Sequence, residues 1–298
     1  MPRSDAFSRC HPAVLLAYFA LVLGCTMFFL HPLCLAISLL SALLCCAHFN
    51  GPDKLRRTLL FSLPVFGFAI LLNPLFNHRG ETVLCSLPSG SPVTLESVAY
   101  GLASAAMLCA VLVWFSCFNH VMTSDKLLHL FGRAAPSLSL VLTMTLRLIP
   151  RFQTQFRALT DAQRALGRNT ASNSLRQKLK DAAQVLSAVA TWALENGVET
   201  ADSMRSRGCG LPGRTAFSLY RFDRRDAAVL IWLMFWGGIL LAGGLSGALF
   251  WQYFPALLGQ PLSPLTLSAY PAYLALCLTP IILNRWEERK WNHSRSNI

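Results

Sequence analysis

Apolar residues gather in six long runs, at about residues 13–30, 33–49, 59–76, 98–118, 227–250 and 265–283. Each approaches the ~20 apolar residues that cross ~30 Å of hydrocarbon, so six transmembrane helices are expected. His31-Pro32 closes the first run, and Asn50-Gly51-Pro52 closes the second. A short basic loop carrying Lys54, Arg56 and Arg57 leads into the third. Residues 77–97 read as loop, with Pro88, Gly90, Ser91 and Pro92 as breakers. Trp232, Trp236, Trp251, Tyr253 and Trp286 lie near run ends, as interfacial aromatic belts do.

Between the fourth and fifth runs the pattern changes from continuous to periodic. Thr123, Ser124 and Asp125 offer N-cap oxygens ahead of Leu127, Leu128, Leu130 and Phe131. Residues 132–136 break that helix, and Ser137 offers a cap for the next. The next helix has an uncharged part too short to span, with Pro150 expected to kink it. Beyond the proline, Phe152, Phe156, Leu159, Gln163 and Leu166 keep helical spacing, and Arg151, Arg157, Arg164 and Arg168 are interleaved. After a polar loop at residues 169–174, Leu175, Leu179, Ala182, Leu186, Val189, Ala193, Val198, Ala201 and Met204 recur at steps of three to five. Gly208 and Gly210, followed by Pro212-Gly213, end this amphipathic helix.

Composition agrees with a bilayer protein: 54% of the 298 residues are hydrophobic and 13% are charged, against about 25% charged in soluble domains. The net charge of +12 first suggests nucleic acid, but topology accounts for much of it. With the N-terminus inside, 25 of the 26 Lys and Arg fall on the inner side and only Arg79 falls outside, as the positive-inside rule requires. Most of the ten cysteines sit inside apolar runs without C-x-x-C spacing, so they read as small buried hydrophobes rather than a disulfide framework. The first run is long and is followed directly by another, unlike a cleavable signal peptide.

The chemistry-bearing motifs are sparse. No G-x-x-x-x-G-K-[ST] loop is present to cradle ATP phosphates, and neither H-E-x-x-H nor G-x-S-x-G occurs. His48 beside Cys45 and Cys46 lacks a fourth metal ligand. The apolar runs are almost free of Asp, Glu, Lys and Arg, which a self-powered ion-coupled transporter carries in its membrane core. What stands out instead is a pair of helix ends, Ala162 to Gly167 and Ser203 to Gly208. In each, small residues and a glycine allow close approach of a partner, and arginine can bind a carboxylate bidentately.

At these residues the sequence resembles the transmembrane T subunit of energy-coupling factor (ECF) transporters, including the cobalt/nickel (CbiQ-like) and vitamin-type members. Ser206, Arg207 and Gly208 match the second of that family's two short Ala-Arg-Gly or Ala-Arg-Ser motifs. Arg147, Leu148, Ile149, Pro150, Ala162 and Gln163 look like features leading to the first. Ala165, Leu166 and Gly167 depart from it, because Leu166 stands where arginine is expected; either Arg164 or Arg168 reaches the same groove from an adjacent position, or the contact there is apolar.

The resemblance implies an all-α integral membrane protein of about six transmembrane helices, N-in and C-in. Residues 1–118 would form a four-span region, 119–226 a cytoplasmic or interfacial module of long amphipathic coupling helices, and 227–298 a two-span region with a basic tail. It implies a non-enzymatic scaffold in a bacterial or archaeal cytoplasmic membrane, coupling two ABC ATPase subunits to a small membrane-embedded substrate-binding S subunit for vitamin or transition-metal uptake. The scaffold itself would need no cofactor, ATP being bound by the partner subunits, and nucleic acid would not be a partner. The alternative is a conventional ABC permease subunit lining its own substrate path, usually marked by a single inner coupling helix. A membrane enzyme acting on lipids is a third class, for which Asp223 and Asp226 are the nearest paired acids.

Overall fold

The computed structural model describes residues 6–77, 80–86, 92–167, 175–209, 211, 220–259 and 263–296. Helices dominate: α1 (Pro12–Phe28), α2 (Pro32–Phe76), α3 (Leu95–Val121), α4 (Ser124–Ala134), α5 (Pro136–Ala165), α6 (Leu175–Ser206), α7 (Arg224–Leu245) and α8 (Pro264–Ser296). Two small antiparallel hairpins pair β1 (Val83–Ser86) with β2 (Pro92–Thr94) and β3 (Trp251–Gln252) with β4 (Leu258–Gly259). The chain forms two compact units, Met1–Leu127 with Tyr220–Ile298, and Leu128–Leu219.

Among the described residues, four helices are long and apolar enough to cross a membrane: α2, α3, α7 and the Pro264–Lys290 part of α8. The apolar α1 has 17 residues. The expected basic loop between the second and third runs is absent, because α2 continues for 45 residues and is broken in dihedral angle only at Gly51, φ +76°. Pro52 follows Gly51 as the first residue of a helix tolerates, and no further breaker separates it from the basic residues. At 1.5 Å per residue α2 contains about 68 Å of helix, more than two hydrocarbon thicknesses.

Other boundaries move for local reasons. Residues 77–97 hold the β1–β2 hairpin, and α3 starts at Leu95 because Thr94 Oγ1 accepts the Ser97 N–H at 3.4 Å. Gly132 stays within α4, and α5 opens on Pro136 with Ala135 as its cap, two residues earlier than the Ser137 cap expected. Proline's fixed φ suits a first helical position, where its missing N–H costs nothing. The fifth apolar run ends as helix at Leu245, and α8 extends well past the sixth to Ser296. Pro150 lies inside the single 30-residue α5.

In the first unit, α1 and α2 begin alike. His11 Nδ1 accepts from Ala13 N and His31 Nδ1 from Leu33 N, each followed by a proline. Trp114, Tyr18, Tyr273, Phe7 and Phe19 are the largest fully buried side chains. Their polar atoms are satisfied inside: Thr26 Oγ1 meets Ser38 Oγ at 2.8 Å and Tyr273 OH at 2.9 Å, while Trp114 Nε1 donates to Ser38 Oγ at 3.1 Å. Tyr18 OH donates to Cys277 O at 2.9 Å. A buried hydroxyl without a partner costs about 1–3 kcal/mol, so this network pins α1, α2, α3 and α8 in one register. Eight cysteines are buried and free among these helices, as small apolar side chains.

A 3-10 turn at Phe7–Arg9 is anchored to the same unit. Phe7 N donates to Asn284 Oδ1 at 3.0 Å, and Asn284 Nδ2 meets His48 Nε2 at 3.1 Å. Lys126 at the start of α4 donates to Ser8 O at 2.6 Å and to Val121 O at 2.7 Å. It thereby satisfies a terminal carbonyl of α3 and joins it to the N-terminal turn. Burial lowers the Lys126 pKa from its usual value, because desolvation disfavours the charged form.

Candidate functional site

The second unit is built on α5 and α6. Phe152 and Trp192 meet edge to face, ring centroids 5.9 Å apart. Beside them a groove of about 500 Å³ is lined by Phe152, Phe156, Leu186 and Val189 among others. Val185 is buried at 4% exposure, whereas Leu179, Leu194 and Val198 are 72%, 73% and 64% exposed. Only part of the apolar periodicity of α6 is therefore used within the unit.

The two helix ends singled out by the sequence have the same terminal geometry. At the end of α6, Gly208 N donates to Arg205 O at 3.0 Å and Cys209 N donates to Met204 O at 2.9 Å. These are the paired bonds of a Schellman terminus, which places Arg207 at the C-cap and Gly208 just beyond it. Gly208 has φ +73°, a left-handed conformation that costs a residue with a Cβ about 1–2 kcal/mol. At the end of α5, Gly167 also has φ +73°, and its N–H donates to Arg164 O at 2.9 Å. Leu166 is the C-cap there, so Leu166 and Arg207 occupy equivalent positions at their helix ends.

Both C-cap side chains point away from the unit's interior: Leu166 is 73% exposed and Arg207 is exposed. Ala165 and Ser206 are exposed as well, so little bulk surrounds either cap. Ser206 Oγ donates to Ser203 O at 2.9 Å, turning its hydroxyl back along the helix. Arg164 meets Asp161 Oδ1 at 3.4 Å, with both side chains more than half exposed. Such an exposed i,i+3 pair holds its arginine weakly, by about 0.3–0.5 kcal/mol. Arg168 and Gly210 lie outside the described residues. A cation at a helix C-terminus is favoured by the backbone dipole, so Arg207 sits where its charge is locally tolerated without a carboxylate.

Asp223 and Asp226 do not form an acid pair facing a substrate. Asp226 is 5% exposed, and its Oδ1 accepts from His11 N at 2.9 Å while its Oδ2 accepts from Asp223 N at 3.0 Å. It caps α7 and binds the start of α1. The His48 ring is engaged by Asn284, and among the described residues no three His, Cys, Asp or Glu side chains are grouped to hold a metal ion. Sequence reasoning missed that Leu166 is a cap. The glycine at the following position was the signal, since helices commonly end one residue before a left-handed glycine.

The sequence model of the CbiQ family, described as cobalt transport protein, matches residues 7–216. Three relatives are each described as energy-coupling factor transporter transmembrane protein EcfT. The protein of Listeria innocua is 28% identical over 208 residues, which cover 63% of this chain and 72% of the relative. That of Bacillus selenitireducens is 30% identical over 105 residues, covering 35% and 39% of the two chains. That of Lactobacillus helveticus is 26% identical over 117 residues, covering 39% and 42%. The alignments to the second and third thus span less than half of those relatives. With four helices able to cross a bilayer and a family match over most of its length, this chain is a multi-pass protein of the cell membrane and belongs to the CbiQ family of cobalt transport proteins.

Proposed function

We propose that the chain is the transmembrane scaffold and energy-coupling subunit of an ECF-type importer. In this reading it transmits ATP-driven motion from two separate ATPase subunits to a small substrate-binding S subunit for a vitamin or a transition metal. The observation that carries the reading is the repeated helix ending: α5 and α6 both stop at a left-handed glycine, with an exposed C-cap residue just before it. The relatives named as energy-coupling factor proteins support the same assignment.

Arg207 is the principal ATPase contact, flanked by Ser206 and Gly208, whose small size admits a carboxylate-bearing groove. Ala165, Leu166 and Gly167 form the second contact, apolar at its centre, with Arg164 and Arg168 beside it. The exposed apolar residues of α5 and α6 make these two the coupling helices, and their length suits rigid-body transmission. The chain crosses the membrane six times: α1 makes one pass, α2 makes two about its Gly51 break, and α3, α7 and α8 make one each. Its N- and C-termini lie inside, where the Lys and Arg concentrate. The scaffold holds no cofactor of its own, and ATP is bound by the partner subunits.

Purification from mild detergent tests this assignment. Two ATPase chains and a small apolar membrane protein are expected to accompany the chain. A stable homodimer that binds substrate unaided would overturn it.

A further inference from the structure

At the end of the first unit where α7 begins and α8 leaves its apolar stretch, a cavity of about 510 Å³ opens between the two helices and the N-terminal turn. Its lining combines charged and apolar residues. Arg9, Arg221, Arg224 and Arg225 supply its cations, and Asp223, Asp226 and Glu287 its anions. Val229 and Leu283 meet the cavity from the core, while Ala228 and Trp286 are its exposed apolar lining. Lys290 Nζ stands 5.6 Å from the Trp286 ring centroid, and Trp286 is 60% exposed.

The charges in this lining do not cancel. Arg225 is paired with Glu287 at 2.6 Å. Both oxygens of Asp226 already accept backbone N–H groups, from His11 and Asp223. Arg9, Arg221 and Arg224 make no ion pair among the described residues. The lining thus sets four arginines against three carboxylates, Asp223, Asp226 and Glu287, and keeps one net positive charge. Guanidinium matches phosphate oxygens bidentately, and a phosphate here would relieve the repulsion among the three arginines.

We infer that this cavity binds the phosphate headgroup of an anionic phospholipid, with the acyl chains leaving past the exposed Ala228 and Trp286 beside the spans of α7 and α8. The apolar wall is what selects a lipid over free phosphate. A soluble anion would use the arginines and leave the exposed Ala228 and Trp286 uncovered, whereas a lipid satisfies both at once. Basic pockets between membrane helices hold anionic headgroups by this combination. The inference does not depend on the ATPase contacts proposed above, since it concerns only residues of the first unit.

Native mass spectrometry of the full chain in mild detergent tests it, with phosphatidylglycerol and phosphatidylcholine as probes. One phosphatidylglycerol is expected to be retained about tenfold more tightly than phosphatidylcholine. Replacing Arg9, Arg221 and Arg224 together by Gln should remove that preference, and replacing all three by Lys should restore most of it. Replacing Lys54, Arg56 and Arg57 by Gln, which removes three cations outside the cavity, should leave it unchanged. Equal loss in both Gln variants would show that general surface charge, not this cavity, holds the lipid, and would overturn the inference. So would unchanged preference in the Arg9, Arg221 and Arg224 variant. Full displacement of the lipid by millimolar inorganic phosphate would make free phosphate the ligand and reject the lipid.

Discussion

Arg207 and Leu166 stand at equivalent positions on their helix ends but differ in chemistry, and this difference sets the expected sizes of their effects. Under the proposed coupling role, Arg207→Glu replaces a cation with a charge that repels a carboxylate partner. Losing such a buried pair costs about 2–5 kcal/mol, so ATPase co-purification should disappear while membrane insertion is retained. Retention of the ATPases at the original strength would remove Arg207 from the contact. Leu166→Ala should weaken ATPase retention far less, because it truncates an apolar contact and leaves no charge unpaired. Gly208→Ala should cost about 1–2 kcal/mol locally, through its positive φ. Its Cβ would also meet Leu211 Cδ1 at 3.0 Å. Faster tryptic cleavage after Arg207 would report that fraying.

Reactivity is likewise decided residue by residue. Burial, together with the charge of Asp226, pushes the Cys10 thiol up from 9.0 to about 12. The neutral thiol is favoured in the folded state, so almost no thiolate is present at pH 8. Cys209 is half-buried at the end of α6. In mapped mass spectrometry at pH 8, a maleimide should label Cys209 and leave Cys10 unmodified until the protein is denatured. The raised Cys10 value contributes stability that is fully present below pH 9. That contribution falls as the pH rises from 9 toward 12, where the unfolded chain loses its proton first. Rapid labelling of Cys10 in the folded protein would contradict its placement.

At the scale of elements, caps and ties decide where helices start and how the N-terminal turn is held. Asp226 serves α7 and α1 together, so Asp226→Ala leaves the His11 and Asp223 N–H groups without their acceptor. Each unsatisfied buried group costs about 1–3 kcal/mol, and the loss should appear as a lower thermal midpoint in detergent. Asp226→Asn keeps one acceptor oxygen and should fall between the two. A midpoint unchanged in Asp226→Ala would show that water replaces the carboxylate without cost. The α2 break illustrates the opposite case, where a loop was expected. Asn50-Gly51-Pro52 ends an apolar run in sequence, yet Pro52 can begin a helix as readily as it can end one. The chain therefore turns at Gly51 and resumes its helix at once.

For the whole molecule, the proposed N-in, C-in arrangement of six passes makes a prediction about sides. In a background with Cys85 and Cys209 both replaced by Ser, a cysteine introduced at Glu81 should react with a membrane-impermeant maleimide added outside. One introduced at Arg221 should react only after the membrane is opened. Labelling of both from the same side would reject the arrangement. The membrane class itself was legible from composition and run length, because a bilayer demands long apolar helices whatever their neighbours.

The chain alone determined that helices dominate, where most apolar runs lie, and that glycine punctuates the ends of α5 and α6. These follow from local chemistry: hydrophobic transfer, helical period and the conformations open to glycine and proline. It also carried the resemblance that the family match bore out. Tertiary structure alone decided the rest. Asp226 and His11 are 215 positions apart in sequence, and Thr26 of α1 and Tyr273 of α8, which share a hydrogen bond, are 247 apart. The paired acids 223 and 226 became a helix cap, and four arginines from two parts of the chain came to line one cavity. Periodicity reports which face of a helix is apolar, but not which distant helix will cover it. That choice is made by packing between elements, where a few buried hydrogen bonds separate the native register from its alternatives.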